Sequence, residues 1–168
     1  FEICIGTPSS QCFQVGYDTG SYTTWVPDEE IRYQNTFDTG KSTSYEEKRF
    51  QLFECETETS ISGNEFTDLV KIPKISEKQY YFNMILATDY KSKIISADGN
   101  SGFARCYNND PTREIFWTET KRFSFIEFLF NANLINKKIF YHRYLNDTHG
   151  ELIIGEDVQI NMNEDLSF

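Results

Sequence analysis

The stretch ICIGTPSSQCFQVGYDTGSYTTWVPD, residues 3–28, decides how the rest of the chain is read. Ile3 and Ile5 alternate, the run Gly6-Thr7-Pro8-Ser9-Ser10 interrupts the pattern, and Phe13, Val15 and Tyr17 alternate again. Alternation with a period of two on either side of a Gly/Pro/Ser cluster predicts two strands around a turn. The second strand runs into Asp18-Thr19-Gly20-Ser21, after which Trp25-Val26-Pro27 resumes an apolar segment. An aspartate closing a half-buried strand is well placed to be held in a cleft. The glycine behind it allows a sharp turn, and Thr19 and Ser21 bring hydroxyls to the carboxylate and its surroundings.

The same D-T-G triplet recurs at residues 38–40, in TFDTGKSTSY, but with different neighbours. Asp38 follows Thr36-Phe37 in a polar, turn-rich stretch, and an aspartate two residues before a glycine is ordinary turn chemistry. Its carboxylate is expected to accept a local backbone N–H. Gly40-Lys41-Ser42 has the ending of a phosphate-binding loop, but position 35, where that motif needs its first glycine, is Asn.

The chain has 168 residues, enough for one domain with a sizeable core. Aromatic residues make up 16%, with 15 Phe and 10 Tyr, so a mean hydropathy of -0.54 does not signal disorder. A net charge of -10 and a pI near 4.7 argue against nucleic-acid binding, which needs a basic face for phosphates. The four cysteines, Cys4, Cys12, Cys55 and Cys106, form no C-x-x-C pair, which argues against a zinc ribbon or a thioredoxin-like site. They permit two disulfides or four free thiols. No apolar run reaches the roughly 18–20 residues that span a bilayer, and there is no signal peptide. The chain opens inside a strand-like stretch, as a sequence truncated at its N-terminus would.

Further along, the pattern is mostly strand. Residues 50–72 predict a hairpin with its polar tip at TSISGN, and YYFNMILAT (80–88) reads as a buried strand. Residues 125–135 predict the one clear helix, with Ser124 and Glu127 as a capping box and Phe125, Phe128, Leu129 and Ala132 on one face. IFYHRYL and ELIIG around NDTHG predict a terminal hairpin. His142 and His149 flank that turn without a convincing third ligand, so no metal site is expected. No cofactor is expected either.

The opening stretch closely resembles the start of the pepsin-like aspartic proteases, in which an I-G-T-P-x-Q turn leads into D-T-G-S and then W-V-P. The resemblance continues in order. FDTGKSTSY resembles the F-x-P-x-x-S-S-T-Y loop, which puts Asp38 on a loop position. Gly63 and Asp68 in SGNEFTDLV match the segment that closes the flap hairpin. SADGNSGFA (96–104) resembles the A-D-G-I-L-G-L-G segment behind the catalytic loop, and residues 125–158 resemble the helix, hairpin and E-L-x-F-G-G that finish the first lobe.

The resemblance implies an all-β, pepsin-like lobe with a flap hairpin and one helix. Residues 1–168 would be a single N-terminal lobe, with the C-terminal lobe on sequence absent from this chain. It further implies an endopeptidase mechanism with two aspartates, one per lobe, sharing a proton and activating a water. Asp18 would be one of them, Thr19 would grip the opposing lobe, Gly20 would complete the turn, and Ser21 would hydrogen-bond the carboxylate. The implied partners are a peptide or protein substrate and a second aspartic-protease lobe. The implied compartment is secreted, endomembrane or lysosome-like. No second D-[ST]-G lies at lobe-like distance, so the lone chain is expected to be inactive. A homodimeric, retroviral-type arrangement also uses one aspartate per chain, but the helix and terminal hairpin fit the larger lobe better.

Three departures bear on activity. The flap-tyrosine position is Glu56, and that tyrosine normally bonds the tryptophan matched by Trp25. The flap YGTGS becomes ETETS, with Thr57 and Thr59 for glycines and Ser60 at its end. Asn100-Ser101 stands where the family packs Ile-Leu, which requires either different packing or exposure. A catalytically inactive lobe serving as a binding or structural subunit is the alternative these changes suggest.

Overall fold

A computed structural model describes residues 1–31, 35–55, 60–91, 97–104, 124–146 and 149–156, leaving aside the side chains of 49–55, 144, 146 and 149. The described residues are mostly strand, with one α-helix, and form two units, Phe1–Phe128 and Leu129–Phe168.

The first unit is built on an eight-stranded sheet. β1 (Glu2–Ile5) pairs antiparallel with β2 (Gln11–Gln14), as the alternation on either side of Gly6–Ser10 predicts. β3 (Gly16–Asp18) comes after a break at Val15, and β4 (Trp25–Pro27) is buried throughout. β5 (Glu46–Cys55), β6 (Ser60–Ile72) and β7 (Ser76–Lys91) are long antiparallel neighbours, and β8 (Asn100–Gly102) is short. The sheet runs β2-β1-β6-β7-β4-β8-β3, with β5 paired to β6 off that path.

The hairpin tip needs correcting. β6 already begins at Ser60, so Ser60 to Asn64 are strand, not turn. The alternate positions Ile61, Gly63 and Glu65 are buried while Ser62 and Asn64 are only partly so, and that period of two outweighs the small polar character of the stretch. Gly63 is required by a close approach: a Cβ there would lie 2.1 Å from the Leu86 carbonyl oxygen of β7.

Phenylalanine dominates the core. Phe13, Phe37, Phe66, Phe103 and Phe125 are fully buried together with Ile3, Ile5, Met84 and Ile85. Phe37 stacks on Phe66 at 5.4 Å, which anchors the loop carrying Asp38, and Phe103 stacks on Phe125 at 5.6 Å. Cys4 and Cys12, opposite each other across β1 and β2, form a disulfide.

The helix α1 (Phe125–Asn131) is shorter than the sequence pattern predicts. Asn133 takes the left-handed conformation at φ 55°, Leu134 N–H donates to Leu129 O, and Asn133 N–H donates to Phe130 O. This is a Schellman closure, with asparagine in the position glycine usually fills. At the other end the Ser124 carbonyl accepts from Phe128 N–H, the first bond of the helix. In the second unit β9 (Phe140–Asn146) and β10 (His149–Ile154) form the predicted antiparallel hairpin, with Arg143 bonded to its cross-strand neighbour Glu151 at 2.9 Å.

Candidate active site

Asp18 is the last residue of β3, and β3 lies parallel to β8 with Gly16 opposite Asn100, Tyr17 opposite Ser101 and Asp18 opposite Gly102. Backbone bonds hold this seam: Phe103 N–H donates to Asp18 O at 2.7 Å, and Ala104 N–H donates to Ser21 O at 2.9 Å. Gly102 N–H reaches Thr24 Oγ1 at 3.3 Å. The seam demands a glycine at 102, because a Cβ would meet the Tyr22 carbonyl carbon at 2.1 Å.

Asp98 anchors the approach to the seam. Its carboxylate accepts from Gln14 N–H at 2.9 Å and from Asn35 Nδ2 at 3.3 Å, while its own N–H donates to Gln14 O. Gly16 N–H adds a bond to Gly99 O at 3.1 Å. Three segments distant in sequence are thereby fixed around the strand that carries Asp18.

The Asp18 side chain is half-buried, Thr19 and Gly20 are exposed, and residues 21–27 are buried without a break. The fold therefore presents the D-T-G triplet at the surface of the first unit and hides the seven residues after it. Gly20 N–H donates to Asp18 Oδ1 at 2.8 Å, and Asn100 Nδ2 approaches Oδ2 at 3.4 Å. Two neutral donors thus fix the plane of the carboxylate.

Two sequence expectations change here. Ser21 does not hydrogen-bond the carboxylate; its Oγ accepts from Thr23 N–H at 3.1 Å, because the buried loop turns the hydroxyl onto its own backbone. Gly20 is not in the left-handed region, so no sharp φ demands a glycine there. A Cβ at Gly20 would meet Asp18 Oδ1 at 3.4 Å, an ordinary contact.

Trp25 is buried in β4, in an apolar cluster with Ile61, Ile85 and Ala87 at the base of the β6–β7 hairpin. Its ring packs against Tyr90 at 4.7 Å and 36°, an aromatic contact not foreseen from the sequence. Ser60, half-buried, opens β6 opposite Cys55 and Lys91. Glu56 and Thr57, like Thr59, Cys106 and Trp117, lie outside the described residues.

Asn100 was missed as a site residue. The sequence signal was the pair of polar residues at an apolar position, and the outcome is different packing. Ser101 is fully buried with its Oγ unpartnered, while the Asn100 amide turns toward Asp18.

Asp38 belongs to a different kind of structure. It caps a 3-10 turn over Thr39–Lys41, accepting from Gly40 N–H at 3.0 Å and pairing with Lys41 at 3.0 Å. The hydrogen bond from Lys41 is the main reason its carboxyl sits below the usual range. It does not join Asp18, whose carboxylate partners are Gly20 and Asn100.

Glu2, Cys4 and Cys12 form the metal-like grouping among the described residues, and the disulfide occupies both sulfurs. No described helix is long and apolar enough to cross a membrane.

Comparison with known proteins adds an independent line. A family model described as eukaryotic aspartyl protease matches residues 1–165. Two renins of Echis ocellatus are similar: one is 29% identical over 108 residues, covering 60% of this chain, and the other 31% identical over 91 residues, covering 50%. The chain spans only 27% and 23% of the length of those renins. With the match running nearly end to end over an all-β lobe that carries D-T-G-S at the end of its third strand, the chain belongs to the eukaryotic aspartyl protease family.

Proposed function

We propose that this chain is the N-terminal lobe of a pepsin-like aspartic endopeptidase, hydrolysing peptide bonds with Asp18 as one of two catalytic carboxylates. The observation that carries the reading is the half-exposed Asp18 carboxylate, fixed by Gly20 N–H and the Asn100 amide at the surface of the first unit. Two carboxylates that share one proton divide the work between them: the ionised one draws a proton from water, and the protonated one donates to the peptide carbonyl.

No second carboxylate hydrogen-bonds Asp18 among the described residues, which favours a second lobe as the source of the acid. Thr19, exposed beside Asp18, is the residue positioned to meet it. Peptide or protein substrates, and a secreted or lysosome-like compartment, accord with the same reading.

The contrary reading, an inactive lobe used as a binding subunit, draws support from Ser21, which has withdrawn from the carboxylate, and from Glu56 at the flap-tyrosine position. An acid-pH peptidase assay of the full-length protein separates the two. Asp18→Asn is expected to lower activity about 100-fold or more, the scale of a lost general acid–base group. Asp38→Asn is expected to leave it unchanged. Equal activity in the Asp18→Asn protein, or none in either, would rule the protease reading out.

A further inference from the structure

Asn100 sits directly across from Gly16 in the parallel β3–β8 pair, two residues before the position opposite Asp18. Gly16 has no side chain, and the Asn100 amide uses the space: Oδ1 lies 3.6 Å from where a Gly16 Cβ would be, and Nδ2 lies 3.4 Å from Asp18 Oδ2. The orientation of the amide is chemically forced. Turned the other way, its carbonyl oxygen would face a carboxylate oxygen, acceptor against acceptor. Asp18 Oδ1 is meanwhile held by Gly20 N–H, so each oxygen receives one neutral donor and keeps lone pairs for a water. Ser21, the hydroxyl closest in sequence after Thr19, is committed to Thr23 N–H and makes no bond to Asp18.

From this geometry we propose that Asn100 is a positioning residue for Asp18, taking over from Ser21 the task of orienting the carboxylate. The inference rests on the proposed function and deepens it. A donor aimed at one oxygen fixes the carboxylate plane, and an acid–base group works only when held within hydrogen-bond reach of the proton it moves. Filling the space beside Gly16 would need no donor, so the two roles predict opposite rankings of variants.

The test uses the full-length protein with a peptide substrate at acid pH. Asn100→Leu keeps the branched shape with a larger volume and removes the donor; kcat is expected to fall about tenfold with KM within about twofold. Asn100→Asp keeps the shape but opposes two carboxylates, and is expected to fall further than Leu. Asn100→Gln retains the amide and is expected to recover part of the loss. A space-filling role predicts instead that Asp equals Asn and Leu is harmless, and either result overturns the proposal.

A second readout does not depend on turnover. The Asn100 side-chain amide resonances are followed by NMR in the wild type and in Asp18→Ala. Displacement of those signals supports the contact, and unmoved signals overturn it. If the wild-type protein shows no Asp18-dependent turnover, the protease reading fails on that result, and the amide signals alone decide whether Asn100 holds Asp18.

Discussion

Gly102→Ala tests the seam behind Asp18 with a single added carbon. The new Cβ would lie 2.1 Å from the Tyr22 carbonyl carbon, 2.4 Å from the Thr23 nitrogen and 2.5 Å from the Tyr22 oxygen. Carbon atoms in contact stand roughly 3.5–4.0 Å apart, so β8 and the loop must separate by more than about 1 Å. All the colliding atoms are backbone, so no side-chain rotation relieves the clash. Three of the hydrogen bonds across the seam lie at the collision, from Gly102 to Thr24 Oγ1, Phe103 to Asp18 O and Ala104 to Ser21 O. At about 1 kcal/mol net each, plus about 1–3 kcal/mol for overpacking, the expected loss is about 4–6 kcal/mol. That approaches the whole stability of a marginal domain. Urea unfolding of the full-length protein, monitored by tryptophan fluorescence, measures the loss. Gly20→Ala is the matched control on the other side of the same loop: its Cβ meets only Asp18 Oδ1 at 3.4 Å, and the expected change is below about 1 kcal/mol. A Gly102→Ala protein within about 1 kcal/mol of wild type, or a Gly20→Ala protein that loses more, would refute the packing argument.

Two further predictions concern stability. Burial is the main cause that pushes the Tyr45 hydroxyl up to about 12, with the charges of Glu47, Asp28 and Asp68 adding to it. A folded-state value raised above that of the unfolded chain favours folding below pH 10 and loses that contribution as pH climbs toward 12. Tyr45→Phe should therefore flatten the alkaline fall in unfolding midpoint between those limits, and an unchanged slope would refute the assignment. The Cys4–Cys12 disulfide closes a short loop, with the cysteines eight residues apart. Cys12→Ala should cost about 2–3 kcal/mol by loop-closure entropy, and a wild-type urea midpoint under oxidising conditions would count against that account.

Much of this architecture is legible locally. The first hairpin, the buried β7 strand and the terminal hairpin all come from period-two alternation bounded by turn residues. The contrast between Asp18 and Asp38 is equally local, since one follows a strand and the other a polar loop, and each accepts a bond from the glycine two residues on. What escapes the sequence depends on long-range pairing. Asn100 reaches Asp18 across 82 residues of sequence separation, through a parallel register that no local pattern encodes. Tyr90 covers Trp25 only because β4 and β7 run side by side. The helix ends early because Asn133 adopts a left-handed conformation, a choice asparagine permits but does not dictate.

The polar pair Asn100-Ser101 weighs on both sides of the activity question. Ser101 Oγ is buried without a partner, as is Thr23 Oγ1 in the loop that faces β8, and each such group costs about 1–3 kcal/mol. A lobe kept only as a scaffold has reason to retain the Gly102 seam and the Asp98 tie, because both hold strands together. It has no structural need for an amide on Asp18 Oδ2, since leucine would fill the space beside Gly16 at less cost. The withdrawal of Ser21 alone would point to a decaying site. Its withdrawal together with a new donor on the opposite oxygen points to a site whose support has been rebuilt from a neighbouring strand. The Asn100→Leu protein separates these cases: improved stability in a protein without Asp18-dependent turnover marks decay, and improved stability with slower turnover marks a carboxylate still held for chemistry.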